Sequence, residues 1–112
     1  MPILKIQINI TLKDEGTFRK EAGSFISELL TKPENYVMIV LEQAGLSFAG
    51  TSDPAAWMDL KSIALPEDRT SEFSEKLCSF IEEQTGIPKN RMYIEFTNVQ
   101  RHLLGWDGRT FG

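Results

Sequence analysis

Apolar and polar residues alternate from the start of the chain. Leu4, Ile6, Ile8 and Ile10 fall on one side, with Lys5, Gln7 and Asn9 on the other. A period of two predicts a strand. Phe18, Ala22, Phe25, Ile26, Leu29 and Leu30 then recur at helical spacing and form one apolar stripe. That helix should end at Lys32-Pro33, because the residue before a proline is pushed out of the α region. Tyr36-Val37-Met38-Ile39-Val40-Leu41 is an unbroken apolar run of strand length. Gly45 to Pro54 is rich in turn formers and predicts a loop, with a short strand around Leu46 to Ala49.

The second half repeats this order. Phe73, Leu77, Phe80 and Ile81 stand 55 positions after Phe18, Ala22, Phe25 and Ile26, and Pro88 and Asn90 stand 55 after Pro33 and Asn35. A strand from about Trp57 to Leu65 answers the first strand, and Arg91 to Thr97 answers the apolar run. The chain therefore reads as one α+β domain over 1–112, built from two β-α-β units, about 1–55 and 56–112. The strands of each unit should be parallel and its crossover right-handed. Four strands form a mixed sheet with both helices on one face. Tyr36 to Leu41 is apolar on both sides, as in strands covered on both faces, and the chain supplies no third layer. Another copy of the chain is the simplest cover, which predicts a homo-oligomer.

Composition narrows the chemistry. The formal charge of −4 over 112 residues argues against a nucleic-acid backbone or an anionic membrane surface as partner. No stretch reaches transmembrane length, and no basic segment leads into a long apolar one, so a cytoplasmic location is expected. Cys78 is the single cysteine and His102 the single histidine. An internal disulfide is thereby excluded, and neither a metal centre nor a thiol nucleophile is expected. No glycine-rich phosphate loop or serine-nucleophile motif occurs, and no cofactor is implied.

Pro2 remains. Proline is tolerated at the first residue of a strand, where no ladder donor is needed. It is also small enough for the initiator methionine to be trimmed ahead of it, leaving a secondary amine. An α-amino group titrates near 8; apolar burial and a neighbouring cation both lower that value toward the range of a general base. In a parallel β-α-β unit both strands start at the same sheet edge, which brings Lys32 toward the Pro2 nitrogen. On residue types alone, a strand starter and a solvated helix-terminal charge are the favoured reading.

A longer set of residues changes that balance. Pro2, Lys32-Pro33-x-x-Tyr36, Phe48-x-Gly50-x-Ser52-x-Pro54, Ser62-Ile63, Arg91-x-Tyr93-Ile94, Gly105-Trp106 and Thr110-Phe111 follow in order from end to end. In this the chain resembles the macrophage migration inhibitory factor family of the tautomerase superfamily. The resemblance implies a homotrimer with active sites between subunits and a cofactor-free keto–enol tautomerase acting on aromatic α-keto acids such as phenylpyruvate. Pro2, freed of Met1, is the implied general base. Lys32 binds the substrate carboxylate, helped by the Ile63 backbone N–H with Ser62 alongside. Tyr93 comes from the adjacent chain, and Tyr36, Trp106 and Phe111 supply aromatic walls.

Two departures stand out. Glu95 occupies the place where the family's mammalian cytokine has asparagine; an ionised carboxylate there repels an anionic substrate and favours protonated Pro2. The stretch matching the family's thiol–disulfide motif reads Ala55-Ala56-Trp57-Met58, so thiol oxidoreductase chemistry through it is excluded. The resemblance also carries two alternatives. One is a cytokine-like interaction protein with a vestigial pocket, an unnamed receptor and non-classical secretion. The other is a hydratase in which Pro2 is the acid and Glu95 activates water.

Overall fold

The computed structural model describes residues 1–112. Strand β1 (Ile3–Ile8), helix α1 (Glu15–Leu30) and strand β2 (Met38–Gln43) form the first unit, and β3 (Ala56–Ile63), α2 (Thr70–Thr85) and β4 (Met92–Val99) the second. A small hairpin, β5 (Gly105–Trp106) and β6 (Arg109–Thr110), closes the chain. Both ends of α2 lie 55 positions after those of α1, and the single 3-10 turns before β2 and β4, Glu34–Tyr36 and Lys89–Arg91, keep the same offset.

Local chemistry sets these bounds. The Asp14 carboxylate accepts the Thr17 N–H at 3.0 Å and the Thr17 hydroxyl at 2.7 Å, capping α1; these bonds hold its carboxyl below the usual range. Both helices end on a left-handed residue, Thr31 with φ 54° and Gly86 with φ 78°. That conformation turns the chain back toward the sheet while satisfying terminal carbonyls. The Lys32 N–H accordingly bonds Ser27 O at 3.0 Å, and the Gly86 N–H bonds Glu82 O at 2.8 Å.

The sheet order is β2-β1-β3-β4, with β1 parallel to β2, β3 parallel to β4, and the two first strands antiparallel at the centre. Alternation sends Leu4, Ile6, Ile8, Met58 and Leu60 to the helix side, where they are buried with Phe18, Ile26, Phe73, Leu77 and Ile81. Phe25 and Phe80 stack between the helices at 4.4 Å. The expected fold class, two layers built from duplicated β-α-β units, is the observed one.

Several expected details differ. The first strand stops at Ile8 rather than Ile10, where Asn9 turns to bond the 45–55 loop. The apolar run after α1 enters the ladder only at Met38. Its first residues close a turn instead, with Tyr36 N–H on Pro33 O at 3.1 Å and Val37 N–H on Glu34 O at 3.0 Å. The second unit's strands run Ala56–Ile63 and Met92–Val99, slightly offset from the expected spans. The short strand around Leu46 to Ala49 reduces to one bridge between Phe48 and Thr51 across Ala49 and Gly50, both at positive φ. The open face is also less apolar than the β2 run suggested. Cross-strand rows there read Met38–Ile3–Lys61–Thr97, Val40–Lys5–Asp59–Glu95 and Glu42–Gln7–Trp57–Tyr93, with Lys5 paired to Glu42 at 3.5 Å. The sequence run of β2 mixed residues from its turn with those of its strand, so its own open-face apolar residues are only Met38 and Val40.

Candidate active site at the start of the first strand

Strands β1 and β2 begin side by side, and the turn leaving α1 lies against that edge. The Pro2 carbonyl accepts the Met38 N–H at 3.0 Å, and Pro2 itself is fully buried. Ahead of it, Met1 lines a cleft of about 190 Å³ with Ile3, Tyr36, Val37, Trp106 and Phe111. The terminal amine here is that of Met1, partly buried against the cleft. Its pKa is pushed below the ordinary 8.0, first by burial and then by the charge of Lys32. Lys32 is held there through its backbone, since the Ser27 hydroxyl donates to its carbonyl while its N–H bonds Ser27 O.

The far wall comes from the C-terminus. Asp107 and Gly108, at φ 52° and 76°, form the left-handed pair that favours a tight hairpin. This hairpin presents Trp106. Phe111 is tied back by its N–H on Leu104 O at 3.2 Å and by Arg101 Nε donating to its carbonyl at 3.0 Å. Trp106 and Phe111 stack at 5.9 Å and 14° between planes, and Tyr36 meets them edge-on at 5.4 and 6.2 Å. The Arg109 guanidinium lies 5.2 Å over the Trp106 ring. An apolar, aromatic cleft with an amine in its wall and the charge of Lys32 close enough to be felt by it suits a flat ring that bears an anionic group.

Ser62 and Ile63 end β3 and are both buried; the Ser62 hydroxyl donates to the Ile63 carbonyl at 3.0 Å. Since Ile3 pairs with Lys61, the next antiparallel step sets Pro2 opposite Ser62. Pro2, Lys32, Tyr36, Ser62, Ile63, Trp106 and Phe111 thus gather at one end of one chain. Tyr93 and Glu95 do not. Tyr93 stands in the row of Gln7 and Trp57, a row about 13 Å along β1 from Ile3, and it lies a further two strands across the sheet. It is 61% exposed, beside a second cavity of about 380 Å³ shared with Phe48 and Trp57. Glu95 is exposed next to Asp59 on the open face.

Sequence reasoning missed the residues that shape the ends of the sheet. Arg91 donates to the carbonyls of Pro54, Asp53 and Phe48 at 2.9, 3.1 and 3.2 Å and lies 5.2 Å over the Phe48 ring, clamping the 45–55 loop. Asn9 bonds the same loop from β1. Asp107-Gly108 carried a hairpin signal that went unread. Cys78 sits on α2 with burial pushing its thiol up, and His102 is exposed. No three metal-ligating side chains converge, and no helix is long and apolar enough to cross a membrane.

Two β-α-β units set about an antiparallel centre, with a proline at the first strand's start facing a lysine and an aromatic wall, define a class of small α+β proteins. The family model described as macrophage migration inhibitory factor matches residues 1–112, and the chain belongs to that family, whose fold is that of the tautomerase superfamily. A macrophage migration inhibitory factor homolog of Trichinella spiralis is 37% identical over 114 residues, covering 99% of this chain and 100% of that protein. The crystal structure of the homologue from Prochlorococcus marinus is 40% identical, with a TM-score of 0.90 over 98% of this chain and 99% of that one. The Trichinella spiralis structure gives 36% identity and a TM-score of 0.92, covering 97% and 99%.

Proposed function

We propose that the protein is a cofactor-free keto–enol tautomerase of aromatic α-keto acids such as phenylpyruvate, with Pro2 as general base once Met1 is removed. The observation that carries this reading is the setting of the chain start: Pro2 is buried behind an aromatic cleft, and the Met1 amine one residue ahead of it has its pKa lowered by burial and by the charge of Lys32. An unprotonated secondary amine there takes a proton from the substrate's C3 carbon or enol oxygen and returns it to the other atom of the pair. Lys32 and the Ile63 N–H hold the carboxylate, Ser62 lies beside them, and Tyr36, Trp106 and Phe111 flank the ring.

The distance of Tyr93 and Glu95 from Pro2 in one chain agrees with a homotrimer in which each site draws these two residues from the adjacent copy. Glu95 then sets a negative charge near the substrate and slows turnover of anionic acids. The decisive test is ketonisation of enol phenylpyruvate, followed by absorbance on protein whose Met1 removal is confirmed by intact mass, beside Pro2→Ala. Loss of roughly 100-fold or more in kcat/KM on substitution is expected for a lost general base. Equal rates refute the reading. A cytokine-like binding role, drawn from family membership, predicts instead a protein partner whose affinity survives Pro2→Ala.

A further inference from the structure

Ser62 is the only buried polar residue of the chain, 1% exposed at the end of an otherwise apolar row. On the helix side of β1 and β3 the cross-strand pairs run Ile8–Ala56, Ile6–Met58 and Leu4–Leu60, and the next step is Pro2–Ser62. The carbonyls of Pro2 and Ile8 both face the β2 side, accepting from Met38 N–H at the start of β2 and from Ala44 N–H just past its end. The even residues of β1 therefore exchange no backbone hydrogen bonds with β3. In such pairs the two residues approach more closely and their side chains are nearest. Continued by one step, the register sets the Ser62 and Pro2 side chains opposite each other on the buried side.

Its single O–H is committed to the Ile63 carbonyl at 3.0 Å, so toward any other neighbour the Ser62 oxygen can only accept. With Met1 attached, the Pro2 nitrogen is a tertiary amide and has no hydrogen to give. Once Met1 is removed, the protonated amine has two. We propose that the Ser62 side-chain oxygen accepts one N–H of protonated Pro2 in the trimmed chain and so fixes the direction in which the other proton is delivered. Ser62 is in this role a positioning residue, and the inference rests on Pro2 being the base. A serine turned to its own strand's carbonyl in an apolar row has no packing advantage over alanine or valine. A cation forming opposite it does require an acceptor.

The charged and titratable groups at this end of the sheet are few. Lys32 comes from the α1 terminus, Tyr36 from the turn before β2, and Lys61 from the opposite face of β3. Glu67 lies beyond Asn98, whose amide donates to it at 2.7 Å. The C-terminal hairpin adds Arg109, which lies over Trp106 and 3.6 Å from Asp107. Lys32 disfavours protonated Pro2; Ser62 acts in the opposite sense.

The test titrates the Pro2 amine directly by the 15N shift of selectively labelled, Met1-free protein, in wild type, Ser62→Ala, Ser62→Thr and Ser62→Val. Threonine and valine fill the same volume and differ by the hydroxyl. The expected result is a midpoint moved to lower pH in Ala and Val and near wild type in Thr. With phenylpyruvate, Ala and Val should lose roughly 10- to 150-fold in kcat with KM little changed, the scale of one charge-assisted hydrogen bond. Midpoints that coincide in Thr and Val overturn the proposal, whatever happens to melting temperature. Titration needs no turnover, so a shifted midpoint in a protein inactive on phenylpyruvate supports the Ser62 contact while refuting the tautomerase reading.

Discussion

Replacing Lys32 by glutamine keeps a polar side chain of similar reach and deletes one charge beside the chain start. Two effects follow, and they separate experimentally. The first is loss of the substrate carboxylate's partner. Two unit charges about 4 Å apart at an effective dielectric near 20 attract by about 4 kcal/mol. Lys32 is only half-buried, so its own hydration and the substrate's must be subtracted. That leaves about 1.5–3 kcal/mol, the range of a hydrogen bond to a charged group. Lys32→Gln should therefore lower kcat/KM for phenylpyruvate roughly 10- to 150-fold, chiefly through KM, because the carboxylate is bound alike in ground and transition states.

The second effect is on the amine. Burial is the larger cause of the lowered pKa of the Met1 amine and Lys32 the smaller, and the Pro2 amine exposed by trimming is expected to feel both. Removing the cation moves the pKa back up part of the way. A base must be unprotonated to act, so the acid limb of the kcat/KM profile shifts to higher pH, and the loss is greatest on the acid side. The assay is a pH–rate profile of Met1-free protein at several substrate concentrations. A KM within two-fold of wild type, or an acid limb displaced to lower pH, refutes the role of Lys32. Full activity on an uncharged enol, with the limb still raised, would isolate the second effect.

Two further outcomes are expected. Arg91→Lys keeps the charge but loses the fork that reaches the Pro54, Asp53 and Phe48 carbonyls. About 1–3 kcal/mol of local stability should go, so amide exchange over residues 45–55 should quicken roughly 5- to 150-fold; unchanged exchange there sinks the clamp. At acid pH, Glu72 is held down to about 2 by hydrogen bonds from Arg69 and Lys76, and Asp14 is lowered by Thr17. Carboxyls lowered in the folded state stabilise it above their unfolded pKa, and that help is lost as pH falls through the folded value. The urea midpoint should fall between pH 5 and 2, and less steeply in the double variant Asp14→Asn, Glu72→Gln at low salt. Equal steepness in both proteins contradicts the assignment.

Much of the architecture is visible in the order of residues. Alternation from Leu4 to Ile8 and the helical stripe from Phe18 to Leu30 report which side of each element is buried, and burial is what the two layers share. The duplication is legible because each unit repeats the same punctuation, a proline three residues after a helix and a strand four or five residues later. Boundaries were less legible. The residues Tyr36 and Val37 are as apolar as Ile39, and only the turn bonds to Pro33 and Glu34 keep them out of the ladder.

The sequence by itself determined the secondary structure, the pairing within each unit and the proximity of Lys32 to the chain start, because these depend on periodicity and on short connections. Tertiary structure decided what distant segments share. It folded the C-terminal hairpin back so that Trp106 and Phe111 meet Tyr36. It sent Tyr93 and Glu95 to another part of the sheet, and it brought the end of β3, with Ser62, alongside the start of β1. Strand register is the reason in the last two cases: one step along β3 exchanges a buried side chain for an exposed one, and that step is fixed only when β1 and β3 pair.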